Sequence, residues 1–152
     1  MITLRSIIAD DWKKLKELNE IVFSENSEFD SNFINNWPSF PESETYFKAL
    51  TKDGVCGFVA EEDTKIVGYV SAHVTHHIWS KTDHLEIEIL GVIPEYRKKG
   101  VAQLLINKCL DWAKEKGIKV VTVNSYIENM AADSFYKKNG FVPLDITYKK
   151  EL

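Results

Sequence analysis

The sequence predicts an α/β (α+β) fold: a mixed, mostly antiparallel central sheet of about six to seven strands flanked by helices. Three observations lead there. The chain opens with an alternating apolar run followed by an amphipathic stripe. Its middle carries three alternating runs separated by short polar turns. Its last third interleaves helical stripes that stop at glycine with further apolar runs. At 152 residues, the stretch 1–152 is expected to form a single domain with a sizeable core. Hydrophobic residues make up 44% and charged residues 28%, ordinary for a globular protein. No apolar run approaches the length of a bilayer, so no membrane partner is expected.

Taken in order, Ile2 to Ile8 alternates as a first strand, and Asp10 can cap a helix whose Trp12, Leu15, Leu18 and Val22 form one stripe. From Ser24 to Thr51 the pattern blurs. Trp37-Pro38 and Phe40-Pro41 interrupt helix-like stretches around Phe29 to Asn36 and Glu42 to Leu50. Strands return at Cys56 to Glu61 and Lys65 to Ile78, joined by Glu62-Asp63-Thr64 as an antiparallel hairpin. In the next run, His84 to Ile93, alternation places Glu86, Glu88, Leu90 and Val92 on one face and Ile87 and Ile89 on the other. After Pro94 a helix is expected from about Gly100 to Lys116, with Val101, Leu105, Cys109 and Trp112 on one face and Gly117 as its stop. A buried strand at Ile118 to Asn124, a helix from Asn129 to Lys138 ending at Asn139-Gly140, and a last strand from Phe141 to Lys149 complete the chain.

Charge and cysteines narrow the function. A formal net charge of -4 argues against a nucleic-acid partner and leans towards cationic substrates. Cys56 and Cys109 are far apart in sequence and outside any metal-like spacing, as expected of reduced core thiols. The start, Met1-Ile2-Thr3-Leu4-Arg5, lacks the charged and apolar segments of a secretion signal, so the expected compartment is cytoplasmic.

The stretch Leu90-Gly91-Val92-Ile93-Pro94-Glu95-Tyr96-Arg97-Lys98-Lys99-Gly100-Val101-Ala102 runs from a strand through a basic loop into an amphipathic helix. Free N–H groups and the positive end of the helix dipole favour a phosphate there. Gly100 and Ala102 leave room for it, and Arg97, Lys98 and Lys99 add charge. The loop has neither the Gly-Lys-Ser/Thr ending of a P-loop nor the three-glycine dinucleotide fingerprint. A pyrophosphate is the best fit.

Arg97-x-x-Gly100-x-Ala102 resembles the central signature of the GNAT superfamily of N-acetyltransferases, Gln/Arg-x-x-Gly-x-Gly/Ala after a strand and a Pro-containing turn. Asn129, Ala132 and Tyr136, followed by Gly140-Phe141, are similar to that family's C-terminal pattern. The order of elements agrees everywhere except Ser24 to Thr51. The resemblance implies the GNAT fold and acetyl-coenzyme A as co-substrate, with no metal. Leu90, Gly91 and Val92 would pair with the pantetheine arm as an added strand. Arg97, Lys98, Lys99, Gly100, Val101 and Ala102 would hold the pyrophosphate. This requires the strands at Leu90 and Val121 to splay, with Gly91 as the place for a bulge. Asn129 would bond the arm, and Tyr136, two helical turns further on the same face, would reach the sulfur.

Amine acetylation needs a neutral amine and a protonated leaving thiolate. Glu86 is the preferred base and Glu88 the reserve, or the anchor of a cationic substrate; Tyr136 is the acid. A backbone N–H near Val92 would meet the oxyanion. His73, His76 and His77 invite a metal reading, but alternation sets His76 apart from the other two, leaving a substrate-pocket role for one of them. The expected acceptor is a small-molecule amine. The alternatives are protein N-termini or lysines, or a coenzyme-binding module without chemistry. Ser24 to Thr51 and the loop Ile78 to Asp83 should wall the acceptor pocket, with Trp37, Phe40, Phe47 and Trp79 serving as wall or core. The family's habit of pairing allows a homodimer.

Overall fold

A computed structural model describes residues 1–152. Its strands are β1 (Thr3–Ser6), β2 (Val55–Glu62), β3 (Lys65–Thr75), β4 (His84–Val92) and β5 (Val120–Val123). Its helices are α1 (Trp12–Phe23), α2 (Glu42–Ala49), α3 (Val101–Glu115) and α4 (Met130–Lys138). The sheet order is β1-β2-β3-β4-β5, antiparallel from β1 to β4 and parallel between β4 and β5. The mixed, mostly antiparallel sheet is as expected. Its five strands are fewer than the six to seven predicted.

The missing strand is Phe141 to Lys149. Val142, Leu144, Ile146 and Tyr148 alternate as a strand would, but a strand also needs a neighbour, and the backbone beyond Phe141 makes no backbone hydrogen bond. The tail is tied elsewhere: Lys149 pairs with Asp30 at 2.9 Å, and Asn32 donates to Glu151 at 3.1 Å. Those four apolar side chains are left exposed. β5 is consequently an edge strand, half-buried rather than buried.

Two other boundaries moved for identifiable reasons. Asp10 does not cap α1; the neighbouring Asp11 is buried, accepts from the Ile8 N–H at 2.9 Å and is gripped by Arg5. Phe29 to Asn36 forms turns rather than a helix, flanked by single 3-10 turns at Asn26–Glu28 and Trp37–Ser39, whereas α2 forms as expected.

Consecutive residues of β3 show what lies on each face. A Cβ on Gly68 would meet Leu105 of α3, while the buried Tyr69 hydroxyl donates to Asn19 of α1 at 2.6 Å. α3 therefore covers one face and α1 the other. Apolar side chains from both faces of β2, β3 and β4 form one continuous core with Leu15, Leu18, Leu105 and Ile106.

The feature that positions the site is a bulge in β4. Ser71 pairs with Ile89 and Ala72 with Ile87, so Glu88 is the extra residue. It inverts the alternation downstream. A Cβ on Gly91 would meet Val22 of α1, which places Gly91 on the α1 face and Leu90 and Val92 on the α3 face. The predicted set of Glu86, Glu88, Leu90 and Val92 on one face is thus corrected: the two acids share the α1–α2 side, and the two apolar residues leave it. The bulge lies at Glu88, not at Gly91.

Candidate functional site

β5 pairs with β4 only from His84 to Ile87. Beyond the bulge the β4 edge has no strand partner, and a cavity of about 310 Å³ opens between it and α4. Leu90, Gly91 and Val92 form one wall, Asn129, Ala132 and Tyr136 the opposite one, and Val22, Phe23, Glu25, Arg97 and Ala102 close it. Of the residues expected to bind the cofactor, seven therefore border one cleft: Leu90, Gly91, Val92, Arg97, Ala102, Asn129 and, for the sulfur, Tyr136.

The loop at its end presents free backbone donors. Gly100 adopts φ +83°, the left-handed conformation that only glycine takes without strain, and Lys98 sits at φ +60°. The backbone N–H groups from Lys98 to Gln103 have no acceptor in the protein. They precede or open the first turn of a 15-residue helix, where dipole and free donors add. Val101 is buried, so only its backbone is available. Lys99 lies over the Tyr96 ring at 5.0 Å, and Tyr96 in turn donates to Glu62 at 2.8 Å. Arg97 donates through Nε to the Val92 carbonyl at 3.1 Å and faces Glu25 at 3.3 Å.

On the opposite wall Asn129 caps α4: its Oδ1 accepts from the Ala132 N–H at 3.1 Å. Its amide nitrogen has no partner. Tyr136 lines the same cavity, as a seven-residue interval requires, and packs edge-on against Phe135 and Phe141. Burial pushes its phenol up to about 12, so it stays protonated throughout the physiological range.

Glu86 and Glu88 do not line this cavity. They stand at and before the bulge, on the α1–α2 side, with side chains 30% and 37% exposed. Thr75 Oγ1 donates to Glu86 at 3.1 Å, and Tyr46 donates to Glu88 at 3.0 Å. His73 lies 4.0 Å from Glu86 and 3.6 Å from Glu88. β3 ends at Thr75, so the alternation argument stops before His76 and His77. His76 bonds Asp83 at 2.7 Å, and His77 stacks on an exposed Trp79.

Sequence reasoning missed Val22, Phe23 and Glu25 in the cleft, and Tyr46 and Thr75 around the acids; of the three histidines it offered for a substrate pocket, His73 is the one beside them. The places of His73 and Thr75 follow from strand register, which pairs His73 with Glu86 and which alternation alone does not contain. Phe47 proves to be core, whereas Trp37 is half-buried against it and also faces a cavity; both meet Tyr46 at 5.2 Å. The segment after α1 also shapes a second cavity of about 420 Å³, lined by Asn19, Phe23, Asp30, Asn35 and Trp37 among others. Phe23 borders both cavities.

The sequence from residue 15 to 141 matches the model of the acetyltransferase (GNAT) family. An uncharacterized N-acetyltransferase of Methanocaldococcus jannaschii is 32% identical over 146 residues, covering 91% of this chain and 60% of that protein. Streptothricin acetyltransferase A of Bacillus subtilis is 30% identical over 105 residues, covering 66% of this chain and 61% of that protein. The matched stretch thus spans about three fifths of these curated relatives. Among solved structures, a Bacillus halodurans protein superposes with a TM-score of 0.85 over 99% of both chains at 18% identity, a likeness of fold alone.

Proposed function

The chain belongs to the acetyltransferase (GNAT) family, and from that premise we propose that it transfers the acetyl group of acetyl-coenzyme A to a primary amine of a small molecule, by direct attack in a ternary complex. The observation that carries this reading is the single cleft with unpartnered N–H groups at one end and the half-buried Tyr136 phenol along its wall. Acetyl-coenzyme A supplies an activated acyl group and a thiolate as leaving group.

The residues divide the work by chemistry. Lys98 to Ala102 offer backbone donors, and Arg97 a guanidinium, to the pyrophosphate. The open edge of β4 from Leu90 to Val92 offers ladder hydrogen bonds to the pantetheine amides. The small side chains of Ala102 and Ala132 leave the arm its width, and the free Asn129 amide adds a donor. Tyr136 protonates the departing sulfur. Glu86 accepts the amine proton through water, and Glu88, held by Tyr46, draws the cationic acceptor towards the sheet. The 420 Å³ cavity next to the cleft favours a small acceptor over a protein chain. The streptothricin-acetylating relative supports the same class.

The test is a free-thiol release assay with acetyl-coenzyme A and kanamycin A, spermidine, L-lysine and a lysine-containing peptide as acceptors. Thiol release with one of the three small amines, and none with the peptide, is expected. Release with the peptide alone would replace the small-molecule reading by protein acetylation. No release with any acceptor would overturn acetyl transfer to amines.

A further inference from the structure

His73 occupies an unusual electrostatic position. Its Nε2 faces Glu86 at 4.0 Å and its Nδ1 faces Glu88 at 3.6 Å, one carboxylate for each ring nitrogen. Each carboxylate otherwise has a single neutral hydroxyl donor, from Thr75 or from Tyr46. No lysine or arginine forms an ion pair with either acid. The imidazole from β3 is therefore the one neighbouring group of the two acids that can carry a proton between them, with a ring nitrogen towards each. At 40%, its side chain is also the most exposed of the three.

We propose that His73 is the proton exit of the acceptor site: it takes from Glu86 the proton that the attacking amine has lost, and passes it through the ring to the Glu88 side and solvent. This rests on the reading of Glu86 as the base. The balance is complete without a further reactant. The ammonium form of the acceptor gives one proton to Glu86, the free amine forms the C–N bond, and the C–S bond breaks. When the C–N bond has formed, nitrogen sheds its second proton, and Tyr136 protonates the thiolate and is reprotonated at that expense. The proton on Glu86 then moves to His73 Nε2, the ring releases one at Nδ1, and Glu86 returns as a carboxylate. A neutral imidazole carries one proton and one lone pair on opposite edges, which suits it to this transfer.

The experiment compares His73→Asn with the wild type and with Glu86→Gln in the thiol-release assay, with kanamycin A and spermidine as acceptors at low buffer concentration. His73→Asn should lower kcat by about tenfold at pH 7, leave KM for acetyl-coenzyme A unchanged, and recover when free imidazole is added. Glu86→Gln should not recover with imidazole. An unchanged kcat in His73→Asn, or a loss that imidazole does not relieve, overturns the relay. Recovery of Glu86→Gln by imidazole would show that the proton bypasses Glu86. A wild type inactive with both amines overturns the underlying acetyl-transfer reading instead.

Discussion

Tyr136 shows how much one side chain's role depends on its surroundings. An ordinary tyrosine loses its proton near pH 10, but burial between α4 and the cleft raises this one to about 12. A raised acid pKa keeps the donor form present to higher pH. A reaction that uses this proton should therefore hold its rate to alkaline pH and fall only as pH approaches the raised value. Removing the hydroxyl while keeping the ring gives the cleanest reading. Tyr136→Phe should lower kcat by about a hundredfold with little change in KM for acetyl-coenzyme A, measured by steady-state thiol release. A rate equal to wild type would assign the thiolate's proton to water or another group. Tyr136 was legible in the sequence because its distance from Asn129 is a helical interval, whereas the partners of Glu86 and Glu88 were not. They arrive from β3 and α2, and no local pattern encodes which residues cross-strand pairing will place opposite them.

Elements were legible wherever one face meets the core. The stripe of α3 and the alternation of β2, β3 and β4 are direct consequences of burial, and their predicted bounds lie close to those observed. Two features escaped. A bulge adds a residue without changing the composition of a strand, so the alternation around Glu88 reads as continuous although its phase shifts there. The tail from Phe141 to Lys149 reads as a strand from its side chains, but pairing is decided by the available edge and by the contacts that draw Lys149 to Asp30. The crossing of α1 over β4 yields a quantitative expectation. A Cβ on Gly91 would lie 2.8 Å from Val22 Cγ1 and 3.2 Å from its Cβ, and a helical valine has little rotameric freedom with which to retreat. Gly91→Ala should destabilise the protein by about 1–3 kcal/mol in urea unfolding, and Val22→Ala should restore part of the loss. Additive effects of the two changes would mean that the close approach is not the cause.

At the scale of the whole molecule, one ionic network joins the start of the chain to the sheet and to α1. Arg5 binds Asp11 through two nitrogens at 2.7 and 2.9 Å and Glu61 through two more contacts at 2.8 and 2.7 Å. Burial pushes the Asp11 carboxyl up, but the Arg5 hydrogen bonds and the Ile8 N–H outweigh it and hold it below the usual range; Arg5 lowers Glu61 likewise. Carboxylates depressed in the folded state contribute stability that is present above their unfolded pKa and is lost as pH falls through the folded values. Arg5→Met should accordingly cost about 2–3 kcal/mol at pH 7, and the gap in melting temperature to wild type should shrink as pH falls below about 4. A gap independent of pH would mean that Arg5 acts by packing alone. The sheet itself is not uniformly secured. β3 is laddered on both sides, whereas β5 is held to β4 over four residues and is open on its other side. In a hierarchy of local openings, β5 therefore separates at far lower free energy than the strands that carry Glu86 and His73. The far wall of the cleft, carried by α4, follows directly on that weakly held strand in the chain, so it can yield without any rearrangement of the four antiparallel strands opposite it.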